Sequence, residues 1–390
     1  MNSLPHKMNR VRHTSFVVGI LFLILSGIGV AVQPNAFYVS YLIAFTFWFG
    51  LAIGCLIITM IHHLAGGDWG NVTRRFFEAG SMTLPLMAVL MIPLLFGLHE
   101  LYPWANLELV AADKILQQKA AYENITGFTL RALLFFCILT GIAFTLRKWS
   151  LQQDAAQDII PSVKLGTLSG PGIVIVPFVV TFAYVDWIMS IEPAWFSTVF
   201  AIILMAGEIL TGFSMAVILL ACLRTSPVFS ETITNKHFHD LGNFLLTFVM
   251  FWTYVSFSQF LIIYSGNQPH EISWYMHRLA GSWRWVAVFL LLFHFFAPFF
   301  VLLFRSAKQN THVLAIIAGL LLTVHALAVY WMIAPTFYPA GVAFHWTDFT
   351  VWLGMGGLWL GIFLSNLARH PLMISPGLVQ IKATALAHEK

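Results

Sequence analysis

Charge is what this sequence has least of. Only 9% of its 390 residues are charged, while 59% are hydrophobic; a soluble domain carries about 25% charged residues. So few charges cannot coat that much apolar surface in water. A soluble enzyme, a disordered chain and a nucleic-acid binder are excluded. Cysteine is scarce as well. Cys55, Cys137 and Cys222 lie in or at the ends of apolar runs, far apart in sequence. They form no C-x-x-C-H and no cluster, so the chain has no usual means of holding a covalent haem or an iron–sulfur centre. They read as buried small hydrophobes. Internal repeats and low-complexity segments are absent too.

Long apolar runs are what is present. A helix needs about 20 apolar residues to cross the hydrocarbon core. Ten stretches qualify: 14–32, 37–62, 75–98, 127–146, 171–190, 194–222, 241–264, 283–304, 312–334 and 346–368. They are continuous and rich in Leu, Ile, Phe and Ala, unlike the short alternating strands of a membrane barrel. The fold class expected is therefore all-α, a single polytopic domain over 1–390. The first stretch follows Lys7, Arg10 and Arg12 like a secretion signal, but its apolar region is long for one and it reads as a retained helix.

Ten spans place both termini on one side. Fifteen of the twenty basic residues then fall on that side, four fall opposite, and Arg131 lies within a span. The basic side faces the cytoplasm. The longest opposite connection, His99 to Thr126, contains a stretch from Asn106 to Ala121 that reads as one short amphipathic surface helix.

Ionisable groups inside a membrane are costly and mark function by default. Four carboxylates qualify. Glu78 lies near the inner end of span three, Glu208 near the middle of span six, Asp186 in the outer third of span five and Asp348 at the outer start of span ten. Arg131 is a counter-charge candidate for Asp186. Two histidines are deep, His294 in span eight and His325 in span nine. One haem between them is an open reading beside packing or proton handling; no other metal site is indicated. Pro85 and Pro298 free the carbonyls of Ser81 and His294. Span seven carries a polar stripe, Asp240, Asn243, Thr247, Tyr254 and Ser258, within about 60° of one another at 3.6 residues per turn. Interhelical hydrogen bonding is the plain reading of that stripe. Staggered carboxylates, histidines, a tyrosine and freed carbonyls are also what a proton relay needs. The relay candidates are Glu78, Asp186, Glu208, Tyr254, His294, His325 and Asp348. Two G-x-x-x-G pairs, Gly50/Gly54 and Gly357/Gly361, signal close helix packing.

Four stretches carry a resemblance. They are the run His62 to Gly70 (HHLAGGDWG) followed by Arg74-Arg75-Phe76-Phe77-Glu78; the run Tyr184 to Thr198 (YVDWIMSIEPAWFST); span seven from Asp240-Leu241-Gly242-Asn243 through Phe251-Trp252-Thr253-Tyr254 to Ser258-Gln259-Phe260; and Tyr264 to Pro269 with Glu271 and Trp274-Tyr275. Together they resemble the smaller polysulfide-reductase-type (NrfD-like) membrane subunit of bacterial alternative complex III, a quinol:cytochrome c oxidoreductase. The resemblance covers the whole chain. It implies two four-helix bundles, within 37–190 and 194–334, with 14–32 and 346–368 as peripheral helices. It implies a bacterial plasma (inner) membrane. It also implies partners: a larger homologous membrane subunit, an iron–sulfur subunit and haem c subunits, with lipids around them. Electrons leave through the partners' haem c and iron–sulfur clusters, and protons are released outward. The larger homologue is the better candidate for the working quinol site. This chain, with no redox ligands of its own, would hold at most a quinone or menaquinone and contribute a proton path and scaffold. A stand-alone secondary transporter and a one-haem cytochrome subunit are the competing classes.

Overall fold

The computed structural model describes residues 6–156 and 160–372. Among these there is helix and no strand. Ten helical spans are long and apolar enough to cross a membrane: Met8–Val32, Pro34–Ala65, Asp68–Phe96, Ile125–Asp154, Val163–Ile191, Phe200–Arg224, Asn235–Gly266, Trp283–Leu303, Thr311–Phe337 and Trp346–Ala368. They are spans one to ten below. Lys382 and Lys390, both in the basic-residue count, lie outside the described residues.

Span two is the axis of the molecule. Nearly all of its apolar stretch is buried (94%), whereas spans one, seven and eight bury about a quarter of theirs or less (22%, 28% and 22%). Span two packs on spans three, five, six, nine and ten, so a single core joins the two halves of the chain. Small residues allow this closeness. A methyl group on Gly54 would sit 2.1 Å from the Glu208 carbonyl oxygen, so spans two and six touch backbone to backbone.

Span one rests on span ten through the second glycine pair. A methyl on Gly357 would lie 2.6 Å from the Gly19 backbone, and one on Gly19 would lie 2.6 Å from the Leu358 nitrogen. Inserted volume at such a contact costs about 1–3 kcal/mol. Gly357→Val is therefore expected to detach span one and leave the rest folded. Greater protease accessibility of span one in Gly357→Val, with the other spans still protected, would show this, and unchanged protection of span one would argue against the contact.

Three local features differ from the sequence reading. Span three is two helices, Asp68–Ser81 and Leu84–Phe96, broken at Met82–Thr83. Pro85 has no N–H for the Ser81 carbonyl, and the freed turn is closed by Thr83 Oγ1 donating to the Gly80 carbonyl at 2.7 Å. Span six begins at Phe200, not 194. Ala194, Trp195 and Phe196 are apolar enough to extend a span, yet they form a loop in which Trp195 stacks on Trp274 at 5.0 Å. The surface helix expected over Asn106–Ala121 is two, Leu107–Ala112 and Lys114–Lys119. Asp113 ends the first and caps the second, accepting from the Ile115 N–H at 2.7 Å. A short Asp side chain competes for backbone N–H groups in this way and interrupts helices.

Candidate functional site

Glu208 occupies the centre. It lies nine residues into span six and is 2% exposed. The Tyr184 hydroxyl of span five donates to its Oε1, and Gly50 of span two leaves room for its carboxylate. Its Oε2 is buried without a partner. Next along span six, Gly207 lets His325 of span nine close in: a methyl there would meet the ring at 2.0 Å. His325 faces His294 with ring centroids 5.7 Å apart, and His294 lies 4.0 Å from the Trp252 ring of span seven. His294 sits in a π-helical turn, Leu291–Phe296, of span eight; such turns are often found at functional sites. His325 Nδ1 and both ring nitrogens of His294 are buried without partners. Buried polar atoms are nearly always paired, with ordered water if not with protein. Six spans thus meet around these unsatisfied groups in mid-span.

A haem between the two histidines does not fit this packing. Trp252 covers His294 and the span-six backbone at Gly207 covers His325, which leaves no slot for a porphyrin plane.

The other carboxylates are held at the two ends. Glu78 lies in a buried cluster with Arg74, Arg75 and Asp154. Arg74 Nε is 3.3 Å from Glu78 Oε1, and Arg74 Nη2 is 2.8 Å from Asp154 Oδ1. Arg75 pairs with both carboxylates, and Ser150 donates to Glu78. Gln153 Oε1 accepts from Arg74 at 2.9 Å. Both arginines lie at the start of span three, where a basic residue reads from sequence as a topology signal. They are instead helical and buried, at 2% and 5% exposure.

At the opposite end Arg131 grips Asp186 with two bonds, Nε to Oδ2 at 2.7 Å and Nη2 to Oδ1 at 3.2 Å. It also stacks on Tyr122 at 3.8 Å. Burial, then the Asp186 charge, push the Tyr122 phenol above its ordinary value. Asp348 accepts from Ser40 at 2.6 Å and from the His345 N–H at 2.8 Å, closing a capping box on span ten. One further pair had no sequence signal. Glu192, in the loop after span five, is bound by Arg278 at 3.0 Å and by the Thr336 hydroxyl at 2.5 Å. Arg278 also donates to the Met332 carbonyl and stacks on Trp274 at 3.8 Å. Burial pulls its guanidinium down to about 10, although Glu192 opposes the shift.

The span-seven stripe does not join the central row. The buried face of this span is Leu241, Leu245, Val249, Trp252, Val255 and Gln259. Asn243, Thr247 and Tyr254 face outward, Tyr254 at 68% exposure, while Asp240 and Ser258 are half-buried. Asn243 is engaged by Lys308 at 2.7 Å. Sequence periodicity aligned the stripe but carried no information on which way it points. Tyr184, Ser150, Asp154, Trp252 and Arg278 were overlooked as site residues. Their partners are distant in sequence, and only Tyr184 and Trp252 fall in runs quoted for the resemblance.

A cavity of about 730 Å³ opens between spans six, seven, eight and nine. Its walls are mostly aromatic and aliphatic, with Ser256 and Gln259 among the few polar residues. Neither a known protein family nor a curated protein matches this chain in sequence.

Proposed function

We propose that the chain is an integral membrane subunit of a quinol:electron-acceptor oxidoreductase of the alternative-complex-III type, and that it conducts protons and braces its partners. The buried Tyr184–Glu208 pair, with His325 and His294 beside it, is the observation that carries this reading. A carboxylate buried in mid-span carries a large desolvation cost and is a functional candidate by default.

The chemistry follows from the atoms. Tyr184 occupies Glu208 Oε1 as a donor, so Oε2 is the position that takes up and gives back a proton. His325 Nδ1 and the two nitrogens of His294 are the next unsatisfied groups; imidazole accepts at one nitrogen and donates at the other. The Glu78 cluster stands at the expected cytoplasmic end, and Asp186, Glu192 and Asp348 at the expected outer end. In this reading spans two to five and six to nine are the two four-helix bundles, spans one and ten are peripheral, and both termini are cytoplasmic in a bacterial inner membrane. Electrons travel through haem c and iron–sulfur clusters of the partner subunits, beside a larger homologous membrane subunit. A quinone is the one cofactor this chain would itself hold.

Glu208→Gln in the intact complex keeps the Tyr184 hydrogen bond and removes the titratable oxygen. The expected result is normal assembly with a reduced proton-to-electron ratio. An unchanged ratio in a fully assembled complex would refute the role given to Glu208.

A further inference from the structure

We infer that the outward face of span seven is an interface, along which a membrane-spanning helix of a neighbouring subunit packs and offers a polar group to Tyr254. The inference rests on the reading above, in which the chain works among other subunits, and it names the surface where one of them sits.

A helix face that meets only lipid has no use for polar side chains in mid-membrane. Spans one, seven and eight are the least buried of the ten. Span one turns Val17, Ile20, Ile24 and Ile28 outward there, and span eight turns out Phe289, Leu292, Phe296 and Phe300. Span seven turns out Asn243, Thr247 and Tyr254. The first two are satisfied within the chain, Asn243 by Lys308 at 2.7 Å and the Thr247 hydroxyl by the Asn243 carbonyl at 2.9 Å. The hydroxyls of Tyr254 and of Ser258, one turn further on, have no hydrogen bond among the described residues.

Tyr254 cannot reach water. Span seven has 32 residues, about 48 Å, against a hydrocarbon core of about 30 Å. Centred in the bilayer, it overhangs by about 9 Å at each end. Tyr254 lies twelve residues before Gly266, about 18 Å from that end, and so about 9 Å inside the core. Helical side chains lean toward the N-terminus of their helix, which carries the phenol further from the nearer surface. An acyl chain at that depth brings no hydrogen-bonding atom.

The spacing on this face fits a helix. Thr247, Met250, Tyr254, Phe257, Leu261 and Tyr264 are all exposed and alternate by three and four residues. That is the 3.5-residue repeat of a seam between two helices crossing at about 20°. It runs for seventeen residues, about 26 Å, most of the membrane thickness. The cavity of about 730 Å³ opens along the same face, since Met250, Tyr254 and Phe257 border it with Leu291 of span eight. An arriving helix thus finds a hole for its apolar side chains. A second copy of this chain, related by a two-fold axis, would bring hole against hole and fill neither.

The test places p-benzoylphenylalanine at Tyr254, Phe257 or Leu261 in turn, with Ile24 of span one as the lipid-facing control. Membranes are irradiated, the complex is purified, and the joined peptides are identified by mass spectrometry. The three span-seven positions are expected to join one membrane-spanning segment of a co-purifying subunit, and Ile24 to join lipid only. Tyr254→Phe removes just the hydroxyl and should speed loss of that subunit in detergent about threefold. Adducts with lipid alone, adducts with another copy of this chain, equal capture at Ile24, or an unchanged rate in Tyr254→Phe would each overturn the interface. The proposed function is read separately. If haem c and iron–sulfur centres co-purify while span seven labels lipid alone, the interface falls and the function stands. If the captured subunit belongs to a complex without those centres, the interface stands and the function falls.

Discussion

Glu78→Ala is expected to destabilise the chain by about 3–5 kcal/mol, the cost of leaving a buried charge without its partner. Arg74 and Arg75 are almost wholly enclosed, and among the described residues the carboxylates paired with them are Glu78 and Asp154. Removing Glu78 leaves two cations to share Asp154, itself 19% exposed at its side chain and screened in part by solvent. Asp154→Ala should therefore cost less than Glu78→Ala. Glu78→Gln keeps an acceptor for Ser150 or Arg75 and should fall between wild type and Ala. Replacing the group together, Arg75→Met with Glu78→Leu, should recover much of the loss, since apolar residues often substitute for buried ion pairs without penalty. Urea unfolding in lipid nanodiscs would measure all four. A cost below about 1 kcal/mol for Glu78→Ala, the scale of a surface pair, would show that the cluster is solvated in the membrane.

That cluster also shows how far sequence reasoning reaches. The ten spans were legible because each apolar run must satisfy its backbone within one helix, so length and hydropathy suffice. Pro85 signalled a freed carbonyl in span three, a local effect, but not that the helix divides there. Glu78 was legible as an intramembrane charge. Its partner Asp154 was not, because about 75 residues separate them and no local rule pairs residues across that distance. Arg74 and Arg75 misled for a related reason. At a span end, a basic residue that sets topology and one that neutralises a buried carboxylate look alike in sequence. The stripe on span seven failed differently. Periodicity groups Asn243, Thr247 and Tyr254 on one face, but only packing decides that Leu245, Val249 and Trp252 turn inward. Tyr184 contacts Glu208 across two spans, and neither residue's own neighbourhood announces the other.

The second large effect is expected at the two glycines facing Glu208, and the two should differ in kind. At Gly54 an added methyl meets backbone, the Glu208 carbonyl oxygen at 2.1 Å and its carbon at 2.6 Å. Backbone cannot step aside, so spans two and six must separate along the most buried helix of the molecule. Gly54→Ala should cost about 3 kcal/mol, the upper range for an overpacked core, and lower the yield of folded complex. At Gly50 the methyl meets the Glu208 side chain, Oε1 at 2.6 Å and Cγ at 2.7 Å. A side chain can rotate, so Gly50→Ala should cost about 1 kcal/mol. The rotation takes Oε1 away from the Tyr184 hydroxyl, however, and moves the carboxyl group that the proposed proton path uses. Gly50→Ala should then resemble Glu208→Gln, assembled but with a lower proton-to-electron ratio, while Gly54→Ala should show its defect in the unfolding midpoint. Both quantities can be read on the same purified complexes. If Gly50→Ala keeps the full ratio while Glu208→Gln loses it, the carboxyl works without its Tyr184 contact, and the geometry assigned to Oε1 is wrong even though the role of the residue survives.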